Sequence, residues 1–291
     1  MVPRHGRSTP YLFLSPFLLL FVGFVLIPAL FGMWVSLHDY NYLLPGKPFT
    51  GLRNYLDLFT PDSRDSAAFW KSMLATGIFT VFSVPFLIVV PLGVALLLNR
   101  AFPGRSFFRA VFFAPYVLGV AVVGVLFRFV LDPNIGLVNY YLGHAFPWTT
   151  DVPWAWISLI GMTVWWTLGF NAVIYLAGLQ DIAPELYEAA RVDGASRWDE
   201  FRNVTLPGLR PVLAFVTTVT ILASANMFGQ SFLLTKGAPA DETRTAIMYI
   251  AQTGLANNRQ GMAAAMSYIL ALILMAVSVL NIRLLQRREA A

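Results

Sequence analysis

Six long apolar runs, separated by shorter polar connections, occupy residues 12–37, 69–98, 107–131, 154–179, 212–234 and 262–285. Each meets or exceeds the roughly 20 residues that carry a helix across the hydrocarbon core of a bilayer. The pattern therefore predicts an all-α integral membrane protein with six transmembrane helices. Arg4 and Arg7 precede the first run as they would a secretory signal. The run is too long for a signal's apolar segment and no small-residue cleavage site follows it, so a retained helix is expected. No internal repeat or low-complexity tract interrupts the series, and residues 1–291 read as one membrane domain. Proline enters three runs, at Pro16 and Pro28, Pro85 and Pro91, and Pro115. Each removes a backbone donor, and ordinary kinks are expected, with neighbouring helices meeting the freed carbonyls.

The composition agrees. Apolar residues make up 57% of the chain and charged residues 12%, too few charges for a water-dispersed globule of this length. Aromatic residues reach 15%, and Trp70, Trp148, Trp154 and Trp156 fall near the expected outer boundary of the spans, where interfacial anchors belong. With the amino terminus inside, twelve of the 20 basic residues lie on the inner side: Arg4, Arg7, Arg100, Arg105, Arg109, Arg191, Arg197, Arg202, Arg210, Arg283, Arg287 and Arg288. The other eight, Lys47, Arg53, Arg64, Lys71, Arg128, Lys236, Arg244 and Arg259, lie outside on longer loops. The denser inner charge predicts that both termini are cytoplasmic. The net charge of +5 is scattered near run ends and forms no stripe, which argues against nucleic acid as a partner. The absence of cysteine excludes disulfides, thiolate metal sites and cysteine nucleophiles.

The spans hold little that ionises. Lys71, Arg109, Arg128 and Arg283 sit near run ends, where a long side chain can snorkel, and no Asp or Glu lies within any run. Ion-coupled carriers rely on buried carboxylates or histidines, so that class is disfavoured. A membrane enzyme such as a lipid transferase would need Asp, Glu or His clustered at one interface. His5, His38 and His144 stand apart, in tails or loops. No phosphate-binding G-x-x-x-x-G-K-[ST] loop, H-E-x-x-H or G-x-S-x-G motif occurs. No catalytic residue, metal site or bound cofactor is expected. The polar residues within the runs are amides, hydroxyls and aromatics: Trp165, Trp166 and Asn171 in the fourth, Asn226 and Gln230 in the fifth, Tyr268 in the sixth. Four residues apart, Asn226 and Gln230 are expected to share a helix face. Two readings stay open for these groups. They can bond helix to helix, or line a neutral pathway whose aromatic faces and amides suit a sugar.

The connection at residues 180–207 carries a more specific pattern. Pro184 suits the first turn of a helix, and Glu185 and Glu188 favour its positive end. Ala189 and Ala190 keep that helix narrow. Gly194 permits a sharp turn, Ser196 can cap a second short helix with Asp199 in the capping-box position, and Pro207 precedes the fifth run. Glu188-Ala189-Ala190, then three residues, Gly194, nine residues, Val204, one residue and Leu206-Pro207 resembles the signature of importer-type permeases of the ATP-binding-cassette class. Val204 stands where isoleucine is usual.

Tyr11–Pro16, Gly51–Tyr55, Gly104–Arg109, Phe113–Tyr116 and Ala177–Gln180 extend the likeness to the carbohydrate branch, the first permease of multiple-sugar, trehalose and glycerol-3-phosphate importers. Two departures stand out. The large insertion of the enterobacterial maltose permease is absent, and Leu234-Thr-Lys-Gly-Ala-Pro239 replaces the commoner Thr-x-Gly-Gly-Pro. The resemblance implies a type I importer permease fold in a bacterial or archaeal cell membrane, moving a neutral sugar, an oligosaccharide or glycoside, by alternating access. Glycerol-3-phosphate or a glycerophosphodiester is the alternative cargo. It further implies a cytoplasmic coupling helix, with Glu188, Ala189, Ala190, Asp193, Gly194, Val204, Leu206 and Pro207 as the ATPase-coupling residues. The implied partners are a second homologous permease, two copies of an ATPase that binds ATP and Mg, and an extracytoplasmic solute-binding protein, which can be a lipoprotein.

Overall fold

The computed structural model describes residues 9–61 and 63–287; Arg4, His5, Arg7 and Arg288 lie outside them. Among the described residues the chain is helical, with one isolated bridge between His38 and Phe49 and no strand. Among these residues, four helices are long and apolar enough to cross a membrane: α1 (Tyr11–Ser36), α3 (Arg64–Asn99), α7 (Trp154–Gln180) and the Gln260–Asn281 part of α12 (Gln260–Arg287). Two bent helix pairs, α4 (Arg105–Val117) with α5 (Val120–Val130) and α9 (Arg197–Gly208) with α10 (Arg210–Ala225), raise the number to as many as six where each pair counts as one broken span. Shorter helices are α2 (Arg53–Phe59), α6 (Leu137–Leu142), α8 (Pro184–Val192) and α11 (Ala246–Ala256). The chain divides into two compact units, residues 1–67 with 250–271, and residues 68–249 with 272–291.

In the first unit, Pro16 deprives the Leu12 carbonyl of its helical donor, and the Ser15 hydroxyl donates to that oxygen at 2.8 Å. Beyond α1, Asn54 donates to the Ser36 and His38 carbonyls at 2.8 and 3.0 Å. Arg259 grips the Asp65 carboxylate with two guanidinium nitrogens at 2.9 and 2.8 Å. The Tyr268 hydroxyl donates to the Ala29 carbonyl.

The second unit holds two apolar clusters. Phe79, Val123, Leu159, Met162 and Met227 form one; Ala95, Ala172, Tyr175, Leu209 and Val216 belong to the other. Close approach rests on missing side chains. A Cβ on Gly169 would fall 2.5 Å from the Phe113 Cα, and one on Gly124 would fall 2.7 Å from the Leu233 Cβ. Without a hydrophobic drive between helices in lipid, such contact supplies the dispersion energy that holds them together.

The run at 107–131 is not the continuous helix its hydropathy predicts. Leu118 and Gly119 are extended, with ψ of 132° and 149°, and α4 and α5 meet at 96°. Neither half, at about 20 and 17 Å, alone reaches across a roughly 30 Å hydrocarbon core. Pro115 therefore marks a break rather than an ordinary kink. The run at 212–234 departs as well. Its helix α10 ends at Ala225, Asn226 is the C-cap at φ −95° and ψ 17°, and a separate π-helical turn covers Ser231–Thr235. Gly229 lies so close to Val120 that a Cβ would sit 2.9 Å from the Val120 Cγ2. Apolar content fixes neither the direction of a backbone nor its continuity.

Candidate functional site

Residues 180–207 build a compact unit from two caps. Pro184 occupies the first turn of α8 with Glu185 beside it, where a missing N–H costs nothing and a carboxylate meets the helix dipole. At the other end Gly194, at φ 81°, donates to the Arg191 carbonyl at 3.0 Å, and Ala195 donates to the Ala190 carbonyl at 2.9 Å. That pair of bonds is a Schellman cap. It explains the four-residue interval from Ala190 to Gly194: the alanine is the third residue from the helix end, and the glycine holds the left-handed position after it. Ser196 then opens α9 with a capping box. Its hydroxyl accepts from the Asp199 N–H at 3.3 Å, while the Asp199 carboxylate accepts from the Ser196 N–H at 3.0 Å. The Ser196 hydroxyl, and then the Ser196 N–H, hold the Asp199 carboxyl below its ordinary pKa.

Side chains clasp the two helices together. Arg191 pairs with Glu200 at 2.7 Å, and the Tyr187 and Thr205 hydroxyls meet at 3.0 Å. Glu188, Ala189, Asp193 and Gly194 stay exposed, Ala190, Val204 and Pro207 are half-buried, and Leu206 is exposed at the margin. Leu186 and Val192 on α8, and Trp198 on α9, present apolar surface outward at 55, 87 and 65% exposure. The unit is thus braced within, and it turns these apolar side chains outward beside the charged Glu188 and Asp193.

A cavity of about 450 Å³ opens deeper in the second unit. Tyr116, Trp166, Phe170, Asn171, Asn226 and Gln230 are among the residues that line it. The Tyr116 and Phe170 rings stack at 4.7 Å, and Trp166 lies 6.1 Å from Tyr116. The Trp166 indole N–H donates to the Leu118 carbonyl at 2.9 Å, meeting one of the oxygens exposed by the break. Asn171 donates to the Leu87 carbonyl at 3.0 Å, the group that Pro91 leaves without an N–H four residues on. Asn226 caps the Leu222 carbonyl at 2.8 Å, which leaves its amide oxygen available. The Gln230 carboxamide has no hydrogen-bond partner among the described residues.

Five of the six pathway residues taken from the sequence can be placed relative to this cavity. Trp166, Asn171, Asn226 and Gln230 reach it; Trp165 instead packs on Phe127 at 5.3 Å. The sixth, Tyr268, belongs to the first unit. Asn226 and Gln230 do not share a helix face, because the helix ends before them, yet both line the cavity. Tyr116 and Phe170 are the residues that sequence reasoning missed. Phe170 stands one helical turn after Trp166, a spacing that puts both on one face. The cavity lining is aromatic, aliphatic, hydroxyl and carboxamide throughout. Among the described residues no group of three or more His, Cys, Asp or Glu could hold a metal ion.

Residues 64–289 match the model of the binding-protein-dependent transport system inner membrane component family. Among the relatives, the arabinooligosaccharides transport system permease protein AraP of Bacillus subtilis (strain 168) is 32% identical over 286 residues, covering 96% of this chain and 88% of that one. The trehalose/maltose transport system permease protein MalF of Thermococcus litoralis is 32% identical over 245 residues, covering 83% and 81%. Among solved structures, a chain of a bacterial ABC transporter involved in the import of the acidic polysaccharide alginate superposes with a TM-score of 0.81 at 23% identity, covering 95% of this chain and 94% of that one. That likeness establishes the fold. A multi-pass membrane protein with this architecture, this capped loop and these relatives belongs to the binding-protein-dependent inner membrane component family, the permease subunits of ATP-binding-cassette importers.

Proposed function

We propose that the chain forms, with a second homologous permease, the path by which an oligosaccharide or glycoside enters the cell. In this reading both termini and residues 180–207 face the cytoplasm, and α8 with its Gly194 cap is the coupling helix. Two copies of a partner ATPase bind ATP and Mg, and closure of those subunits moves α8. Through the clasp of Arg191 with Glu200 and Tyr187 with Thr205, that movement reaches α9 and α10. The central cavity then opens to the outside, where a solute-binding protein delivers the cargo, and hydrolysis resets it.

One observation carries the coupling role: a doubly capped, internally braced helix pair that turns apolar side chains and Glu188 outward. A loop serving as a connection alone would gain nothing from exposing Leu186, Val192 and Trp198, since burying such side chains against a partner is favourable. The cargo class is supported by the cavity and by the names of the relatives. Stacked Tyr116 and Phe170 suit the apolar face of a pyranose, and the amide oxygen of Asn226 and the carboxamide of Gln230 suit its hydroxyls. Arg128, the cation a phosphate would seek, lies exposed in the last turn of α5 and does not line the cavity, which favours neutral cargo.

The test is reconstitution of the assembled importer in vesicles. Glu188→Lys or Gly194→Asp should leave the chain inserted while abolishing substrate-stimulated ATP hydrolysis. Charge reversal in a docking cleft adds repulsion to a lost partner, and a side chain at φ 81° strains the turn. Normal transport by both variants would refute the coupling role.

A further inference from the structure

A second cavity, of about 600 Å³, lies beside the coupling loop and is distinct from the aromatic one. Asn99 and Arg100 line it from the end of α3, Leu179 from the end of α7, Arg191 from α8, and Arg197 and Phe201 from α9. Glu200 also lines it and neutralises Arg191 at 2.7 Å. Arg100 and Arg197 have no carboxylate within ion-pair distance among the described residues. The cavity therefore carries two cations in excess, beside an apolar margin of Leu96, Leu179 and Phe201.

Its level in the fold is set by the helices that end there. Arg100 directly follows the 36-residue α3, and Leu179 is the penultimate residue of α7. Both are points where an apolar span gives way to polar chain, the depth of the lipid headgroups. A free phosphate would need the cations and not the apolar margin. A lipid phosphodiester needs both, because its glycerol and first methylenes lie against the hydrocarbon boundary. Guanidinium groups match phosphate oxygens in a bidentate fork, and basic pockets between transmembrane helices on the cytoplasmic side are suited to anionic headgroups.

We propose that this cavity binds the headgroup phosphate of an anionic phospholipid, held by Arg100 and Arg197. The bound lipid ties the end of α3 to the coupling loop. The inference rests on the cytoplasmic placement of that loop and not on its coupling role.

The probe is phosphatidylglycerol, titrated against the full-length chain in otherwise phosphatidylcholine nanodiscs and read by native mass spectrometry. Both leaflets contain the probe, so the outcome is independent of which side faces the cytoplasm. An error in orientation thus leaves the binding result intact. Arg100→Gln with Arg197→Gln should weaken binding about 30-fold, about fivefold for each charge near the surface. Arg105→Gln, in a separate shallow depression lined by residues from Ala101 to Ser106, should change nothing. Lysine at both positions should restore part of the affinity. Equal binding by wild type and the double glutamine variant would overturn the proposal. So would displacement of the lipid by millimolar inorganic phosphate, which would make this a plain anion site. Unchanged lipid binding with lost co-purification of the ATPase would assign the arginines to acidic side chains of that partner instead.

Discussion

Asn171 and Pro91 should be thermodynamically coupled although their side chains do not form a pair. Pro91 withholds the N–H that would bond the Leu87 carbonyl, and Asn171 supplies a donor at 3.0 Å from another helix. Leu87 and Asn171 are 3% and 7% exposed, so the bond lies away from bulk water. Asn171→Leu keeps the volume close and removes the donor. Losing an interhelical hydrogen bond in a membrane costs about 0.6 kcal/mol on average, and stranding a buried carbonyl adds about 1–2 kcal/mol. The single variant should therefore lose about 2 kcal/mol. In a Pro91→Ala background, the backbone N–H regained at position 91 reaches the Leu87 oxygen within α3. The same Asn171→Leu change should then cost about 0.5 kcal/mol, leaving a coupling of about 1.5 kcal/mol. Denaturant titration of the full chain in one detergent, for wild type, both single variants and the double, measures it. Hydrogen exchange in the Pro91→Ala variant should show a protected amide at the substituted position. An equal cost of Asn171→Leu in both backgrounds would refute the reasoning.

Replacing Asn226 and Gln230 together with Leu should lower transport at least tenfold while the importer still co-purifies. Undiminished transport would remove both residues from the proposed pathway. The capping box gives a prediction in pH. The Asp199 pKa is depressed in the folded loop, so its contribution is fully present above the unfolded carboxyl value of about 3.9 and is lost as pH falls through the lower folded value. Ser196→Ala removes the larger cause, and the Asp199 titration, followed by carboxyl-labelled NMR, should move up toward about 3.9. A midpoint that stays put in this variant would show that the hydroxyl does not hold the carboxylate.

What could be read from the sequence divides along physical lines. The helices at Arg64–Asn99, Trp154–Gln180 and Gln260–Arg287 were legible, because a long apolar stretch in lipid has few alternatives to a helix. The breaks at Leu118–Gly119 and after Ala225 were not, since a hydropathy average is blind to the ψ of one residue. The loop was legible to its individual caps: Ala190 and Gly194 are fixed four apart by the hydrogen bonds of one helix end, a local rule. Which of Trp165 and Trp166 faces the cavity depends instead on where Phe127 and Tyr116 lie, in helices distant along the chain. That information is tertiary, and it also decided the contribution of Tyr116.

The bond from Trp166 to the Leu118 carbonyl bears on the entropy of recognition. The indole commits its one donor to the chain itself, so the ring's torsions are ordered when the helices assemble, before any guest arrives. Phe170 and Tyr116 are fixed in the same way by stacking on each other. A ring settling on this wall loses its own rotational freedom and little of the protein's, so modest contact suffices to orient it. The wall offers flat faces with no outward donor from Trp166. It can therefore hold a guest in place without holding it tightly, as the proposed transport path requires.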